Sequence, residues 1–322
     1  MPTRINTKNH WHGSLKVFAG LTLLLGLFLL PFFPGTSKPQ PTGQYLVESV
    51  AICFECHSDR DFSKPGWPIP PGRKGSGRIL RGEGTPDPIV APNISSDKET
   101  GIGAWTDDEI KRAIIGGIGR DGRHLHPEMP YHYFNLLSAP ELDAIVKYVR
   151  SIPPVKSALP KMPNFSPVPN PPRVPMDSIP LTAHSHAIKR GQYLVRLAGC
   201  ETCHTPRYAE GFITGMEFAG GSVFRHANAE ADAASNLTPD LTGIGAYTEQ
   251  QFISIIRTGH SGSRPINSAM PWLFYRNMTD SDLRAIFAYL KALPPISHKI
   301  DNTQPPSLCP LCRNSHGLGN TN

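Results

Sequence analysis

Two five-residue strings carry the residue types that could do chemistry: Cys53-Phe54-Glu55-Cys56-His57 and Cys200-Glu201-Thr202-Cys203-His204. On a helical turn, residues i and i+3 share a face. The two thiols of each string can therefore add to the two vinyl groups of one porphyrin, and the following imidazole comes under the iron. Cys-x-x-Cys-His is the attachment pattern of c-type haem. One copy would be compatible with a redox dithiol, a disulfide or half a zinc site. Two copies in similar settings point to two covalently bound haem c groups, with Cys53, Cys56, Cys200 and Cys203 as attachment residues. His57 and His204 are then the iron ligands.

The elements that must position these strings are written twice in the chain. Gly43-Gln44-Tyr45-Leu46-Val47 precedes the first string and Gly191-Gln192-Tyr193-Leu194-Val195 the second. Asn93-Ile94-Ser95 through Gly101-Ile102-Gly103-Ala104-Trp105-Thr106 is answered by Asn236-Leu237-Thr238 through Gly243-Ile244-Gly245-Ala246-Tyr247-Thr248. Met129-Pro130-Tyr131 is answered by Met270-Pro271-Trp272, and Ile152-Pro153-Pro154 by Leu293-Pro294-Pro295. The order is kept throughout, so a domain has been duplicated. Thr106-x-x-Glu109, Thr248-x-x-Gln251 and Ser138-x-x-Glu141 are capping boxes, with Thr279-x-x-Asp282 a weaker one. Leu142, Ile145, Val146 and Val149, like Leu283, Ile286, Phe287 and Leu290, recur at i, i+3, i+4, i+7 and give each last helix one apolar face. No stretch alternates as a strand. A long Gly/Pro-rich loop follows each haem string, as if to cover something.

The remaining segments frame these copies. Val17–Phe33 is seventeen uncharged residues, about 25 Å of helix, long for a signal peptide and just enough for a membrane span. Arg4, Lys8 and Lys16 precede it, which places the N-terminus in the cytoplasm and everything after Phe33 outside. Pro153 to Pro180 holds ten prolines and reads either as a semi-rigid spacer or as a strap along the domain surfaces. The net charge of +6 comes without a basic stripe interleaved with aromatics, so no nucleic-acid partner is expected. Cys309-Pro310-Leu311-Cys312 is followed by Arg313, which cannot ligate iron. A disulfide or free thiols are the default there, with His316 near enough for a small metal clip.

These residues resemble di- and multi-haem c-type cytochromes with class I cytochrome c domains, over about 43–155 and 191–296. Pro92-Asn93-Ile94-Ser95-x-Asp97 with Gly101-Ile102-Gly103-Ala104-Trp105 is similar to the cytochrome c subunits of membrane-bound alcohol, gluconate, sorbitol and aldehyde dehydrogenases. Such subunits commonly hold three haem strings, whereas this chain holds two. The resemblance implies a sixth iron ligand from a methionine late in each domain, which places Met129 and Met270 as metal ligands. They lie 72 and 66 residues after their histidines (129 − 57 and 270 − 204), each before a proline that stiffens the loop. His124, His126, His132 and His260 are their rivals. Met162, Met176, Met216 and Met278 have no counterpart in the other copy and read as packing. Trp105 and Tyr247 would bond a haem propionate or plug the core. Tyr45 with Tyr148, and Tyr193 with Tyr289, would join first and last helices. Asn93 and Asn236 match glycosylation acceptors but read better as turn caps.

The expectation is an all-α protein with two tandem class I cytochrome c domains after an N-terminal transmembrane helix. The division is 1–37 cytoplasmic tip and membrane anchor, 38–158 domain one, 159–182 linker, 183–298 domain two and 299–322 tail. It would sit in the bacterial inner membrane by one helix, with its haem domains facing the periplasm. It would pass single electrons from a dehydrogenase to a quinone, a cytochrome or a terminal oxidase, with no catalytic residues of its own. A di-haem cytochrome c peroxidase-like enzyme is the alternative; it would have to open one iron to peroxide.

Overall fold

The computed structural model describes residues 42–167, 183–208, 211–225 and 231–317. These fall within one compact unit, 39–322. The first copy begins with α1 (Thr42–Tyr45), which runs on as a π-turn (Leu46–Val50), followed by α2 (Cys53–Cys56). Strands β1 (Arg78–Arg81) and β2 (Ile89–Ala91) come next, then α3 (Asp107–Gly116), α4 (Tyr131–Phe134) and α5 (Ala139–Arg150). The second copy has α6 (Ala183–Leu197), α7 (Cys200–His204), β3 (Arg207–Tyr208), β4 (Gly211–Phe212), β5 (Val223–Arg225) and β6 (Ala231–Ala233). It continues with α8 (Glu249–Thr258), β7 (His260–Ser261), β8 (Arg264–Pro265), α9 (Trp272–Tyr275) and α10 (Asp280–Ala292), and the tail adds β9 (Ser307–Leu308) and β10 (Ser315–His316).

Two expectations are corrected. The fold is not all-α: the strands pair antiparallel into five two-stranded sheets among the described residues. Each strand has only two to four residues, too few for a period of two to register in sequence. Three of the five, β1 to β6, arise inside the Gly/Pro-rich loops, where residues such as Gly77 and Gly220 turn the chain at φ +71° and +76°. The single-pass inner-membrane placement is also withdrawn. Among the described residues no helix is long and apolar enough to cross a membrane. The longest, α6, has 15 residues, about 22 Å, and carries Lys189, Arg190 and Arg196. Val17–Phe33 lies outside the described residues, as does 168–182 of the linker.

Where the helices cross, the copies repeat each other closely. A Cβ at Gly43 would stand 2.0 Å from the Ala144 carbonyl oxygen, and one at Gly191 the same distance from that of Ala285. Only glycine lets the first helix lie this close on the last. The last-helix stripes Leu142, Ile145, Val146, Val149 and Leu283, Ile286, Phe287, Leu290 are buried as their spacing implies. The capping boxes at Thr106 and Thr248 are complete, with Thr106 N–H donating to Glu109 at 2.8 Å and Thr248 N–H to Gln251 at 2.9 Å. Thr279 receives the Asp282 N–H at 3.1 Å, but the Asp282 carboxylate is employed elsewhere.

It faces the other copy. Arg190 donates to both Asp282 oxygens at 3.0 and 2.9 Å, and the Tyr45 hydroxyl donates to it at 2.6 Å. Tyr45 thus belongs to the seam between copies, not to the helix crossing of its own copy. Tyr148 does stay within its copy, donating to Glu48 on the π-turn. Reciprocally, burial and the facing Glu141 carboxylate push the Tyr193 phenol up. One buried core, from Leu46 and Phe54 to Ile286 and Leu290, runs through both copies. After Ile152 the described part of this segment, 153–167, lies along the first copy: Arg123 donates to the Met162 carbonyl at 2.9 Å and Val90 N–H to the Met162 sulfur at 3.1 Å.

Candidate functional site

Each Cys-x-x-Cys-His string makes a short helix opened by a left-handed residue, Ile52 at φ 41° and Gly199 at φ 68°. The four thiols are half-buried, and Cys53 and Cys200 lie against the core. Burial pushes Cys53 and Cys200 up to about 12 and Cys203 up to about 11; burial and the Glu55 carboxylate hold Cys56 well above its ordinary value. A redox dithiol needs an accessible thiolate, so this setting disfavours that reading.

The histidines are held alike. His57 donates from Nδ1 to the Pro92 carbonyl at 2.8 Å, and His204 from Nδ1 to the Ser235 carbonyl at 2.7 Å. Gly77 N–H bonds the His57 carbonyl at 3.0 Å, and Gly220 N–H that of His204 at 2.7 Å. Burial lowers both imidazole pKa values, partly countered by those carbonyls. With Nδ1 donating to a carbonyl in each ring, the Nε2 lone pair is left for a metal, the arrangement a ligating histidine requires. Pro92 and Ser235 stand directly before Asn93 and Asn236, both only 3% exposed. Asn93 caps its turn at Ser95 N–H (2.9 Å) and donates to the Val155 carbonyl (2.7 Å). Asn236 does the same to Thr238 (2.9 Å) and Ile296 (2.8 Å). Their turn-cap role holds, and their burial rules out glycosylation.

Met129 and Met270 sit in congruent loops, half-buried against the core. Met129 N–H donates to the His126 carbonyl and Met270 N–H to that of Asn267, each at 3.0 Å. The aromatic that follows each Met-Pro closes the loop on a helix end. Gly117 and Gly259, left-handed at φ 63° and 68°, abut the rings of Tyr131 and Trp272, where any Cβ would come within 2.6 and 2.5 Å. The rival histidines are more varied. His260 is exposed and bonded to the Thr258 carbonyl at 2.9 Å, and His126 accepts the Glu128 N–H at 3.2 Å. His132 is half-buried between Tyr131 and Tyr133, and His124 carries a backbone bond to Asn164 at 2.7 Å. Trp105 and Tyr247 both pack on the core, with the Tyr247 hydroxyl 3.5 Å from that of Ser261.

Two residues of the site escaped sequence reasoning. Arg78 bears on both His57 and Cys56, and its Nε is buried without a hydrogen-bond partner among the described residues. Its terminal nitrogen pairs with the Glu55 carboxylate at 3.6 Å, and the unpaired Nε beside Cys-x-x-Cys-His fits a haem carboxylate; a lone arginine in a glycine-rich loop gives no signal of this. Tyr275 donates to the Ala198 carbonyl at 2.5 Å. Burial raises its pKa well above the ordinary value, and Cys200, Cys203, Glu55 and Cys56 add to the shift, so both strings lie within electrostatic reach of one hydroxyl. The residues present therefore fit haem at each string.

Residues 188–294 match the cytochrome c family model, a domain that carries covalently bound haem c. The chain is 31% identical over 234 residues to the alcohol dehydrogenase (quinone) cytochrome c subunit of Gluconacetobacter polyoxogenes, covering 65% of this chain and 48% of that subunit. It is 29% identical over 276 residues to the gluconate 2-dehydrogenase cytochrome c subunit of Pantoea cypripedii, covering 78% and 58%. A diheme cytochrome c-type protein of Cereibacter sphaeroides is 27% identical over 256 residues, covering 76% of this chain and 82% of its own. The chain spans about half the length of the alcohol dehydrogenase subunits of Gluconacetobacter polyoxogenes and Komagataeibacter europaeus.

Proposed function

From a chain homologous to the cytochrome c subunits of dehydrogenases and to a diheme cytochrome c, we propose a di-haem electron carrier of two tandem cytochrome c domains. It takes single electrons from a dehydrogenase and passes them to a respiratory acceptor, a quinone, another cytochrome or a terminal oxidase. The observation that carries this reading is the repeated histidine lock, with Nδ1 of His57 and His204 each on the carbonyl before a buried asparagine. Bound haem supplies a one-electron iron couple. The chain's own residues do the rest. Cys53 with Cys56, and Cys200 with Cys203, hold the porphyrins; His57 and His204 present Nε2; Met129 and Met270 supply sulfur as second ligands. Arg78 offers charge to a propionate.

Haem stoichiometry tests this. Denatured protein should retain two haems per chain by mass and by pyridine haemochrome absorbance. Cys53→Ser with Cys56→Ser should leave one, and so should Cys200→Ser with Cys203→Ser. A single haem in the unaltered chain would overturn the di-haem carrier.

A further inference from the structure

The tail holds a second constellation, remote in sequence from both haem strings. His298, Cys309, Cys312 and His316 each offer one ligand atom, and these four atoms lie within 4.8 Å of one another. The residues are 1, 8, 0 and 7% exposed. We propose that they form a closed Cys2His2 site for a structural zinc ion, which fastens the tail onto the loop that holds His204.

Several independent features converge on a cation. His298 donates from Nδ1 to the Ala219 carbonyl at 2.9 Å, which turns Nε2 inward to 3.3 Å from the Cys309 sulfur. In a zinc tetrahedron with bonds of about 2.0 Å to nitrogen and 2.3 Å to sulfur, adjacent N and S ligands stand about 3.5 Å apart. That edge is already at its working length. Nε2 of His316 is buried with no hydrogen-bond partner among the described residues. A buried ring nitrogen of this kind costs free energy unless something binds it. The cysteines sit in a tight knuckle: Leu311 N–H points to the Cys309 sulfur at 3.4 Å, and Arg313, left-handed at φ 53°, returns its N–H to the Cys309 carbonyl at 2.9 Å. An N–H directed at sulfur favours thiolate. Two thiolates and two imidazoles around a divalent ion make a neutral unit that can be buried. This donor set selects zinc among common divalent ions, and four protein ligands leave no open position for catalysis.

The site also has a mechanical setting. A Cβ on Gly221 would meet His298 at 2.7 Å and the Cys312 sulfur at 3.3 Å, so the cluster lies directly on that loop. Asn314 donates to the Gly221 carbonyl at 3.1 Å, while Asn302 accepts from Ala233 N–H at 3.2 Å and donates to the Ala233 carbonyl at 2.9 Å. Ala219, held by His298, precedes Gly220, whose N–H binds the His204 carbonyl. Among the described residues the first copy shows no such cluster.

The test is elemental analysis of the full-length protein, purified without chelator and without histidine tag. One zinc per chain is expected beside the haem iron, with two sulfur and two nitrogen neighbours by zinc-edge X-ray absorption. Cys312→Ser and His316→Ala should each lose the zinc while covalent haem content stays unchanged. If those variants fail to fold, thiol counting on the unaltered protein still decides. A Cys309–Cys312 disulfide found by mass in the native chain overturns the site, and so does substoichiometric zinc after growth in zinc-replete medium.

Discussion

At the scale of single residues, the candidate site rests on two matched locks: Nδ1 of His57 and of His204 each donates to a backbone carbonyl, at 2.8 and 2.7 Å. His57 and His204 were legible because a histidine after Cys-x-x-Cys has few other reasons to exist. The carbonyls of Pro92 and Ser235 that lock them lie 35 and 31 residues away and leave no mark in sequence. Met129 and Met270 were legible only because two copies could be aligned; their loops prove congruent down to single hydrogen bonds. If each supplies sulfur to its iron, Met129→His should lower the potential of one haem and leave the other nearly unchanged, since methionine raises the haem potential. For a one-electron couple, a drop of about 59 mV already shifts the equilibrium tenfold. Spectroelectrochemical titration of each variant reads this directly. An unaltered sulfur-to-iron charge-transfer band in both Met129→His and Met270→His would mark the methionines as packing residues.

Among elements, long periodic helices declared themselves and short paired strands did not. The apolar stripes of α5 and α10 follow from their spacing, whereas two-residue strands depend on where glycines permit the chain to turn back. The tight first-to-last helix crossing is carried by Gly43 and Gly191. Gly191→Ala should cost about 3 kcal/mol or abolish folding, because a methyl against a backbone carbonyl has nowhere to move; chemical denaturation with circular dichroism measures it. Gly262, whose Cβ direction is open but whose φ is +65°, should lose far less on the same change. Glu48 ties the π-turn to α5 and to Lys74, which donates at 2.7 Å. Burial opposes its ionisation, but the bonds from Lys74 and Tyr148 outweigh that and hold its carboxyl below the usual value. A depressed carboxylate contributes stability that is complete above the unfolded value near 4.5 and drains away as pH falls through the lower folded value. The unaltered chain should therefore lose stability more steeply below about pH 4.5 than Glu48→Gln does, as a series of thermal melts would record.

For the molecule as a whole, the duplication was plain in sequence, and the proline-rich segment between the copies read either as a spacer or as a strap along both. Among the described residues the two copies share one core, because side chains that could have served their own copy reach across. Asp282 is the clearest case. Read as a weak helix cap, it is 8% exposed and binds Arg190 and Tyr45. Asp282→Ala strands a half-buried guanidinium and should cost about 2 kcal/mol, discounted for the solvent that still reaches Arg190. Calorimetry should show the loss in a single shared transition; two separate transitions would disprove the common core. The reaching is also mutual. Tyr45 of the first copy meets Asp282 opposite the start of α10, and Tyr193 of the second meets Glu141 at the start of α5. Reciprocity of this sort is the mark of an isologous contact, in which one surface meets another image of itself. Held in one chain, the two faces meet with Asp on one side and Glu on the other, and neither has to find its mate by diffusion.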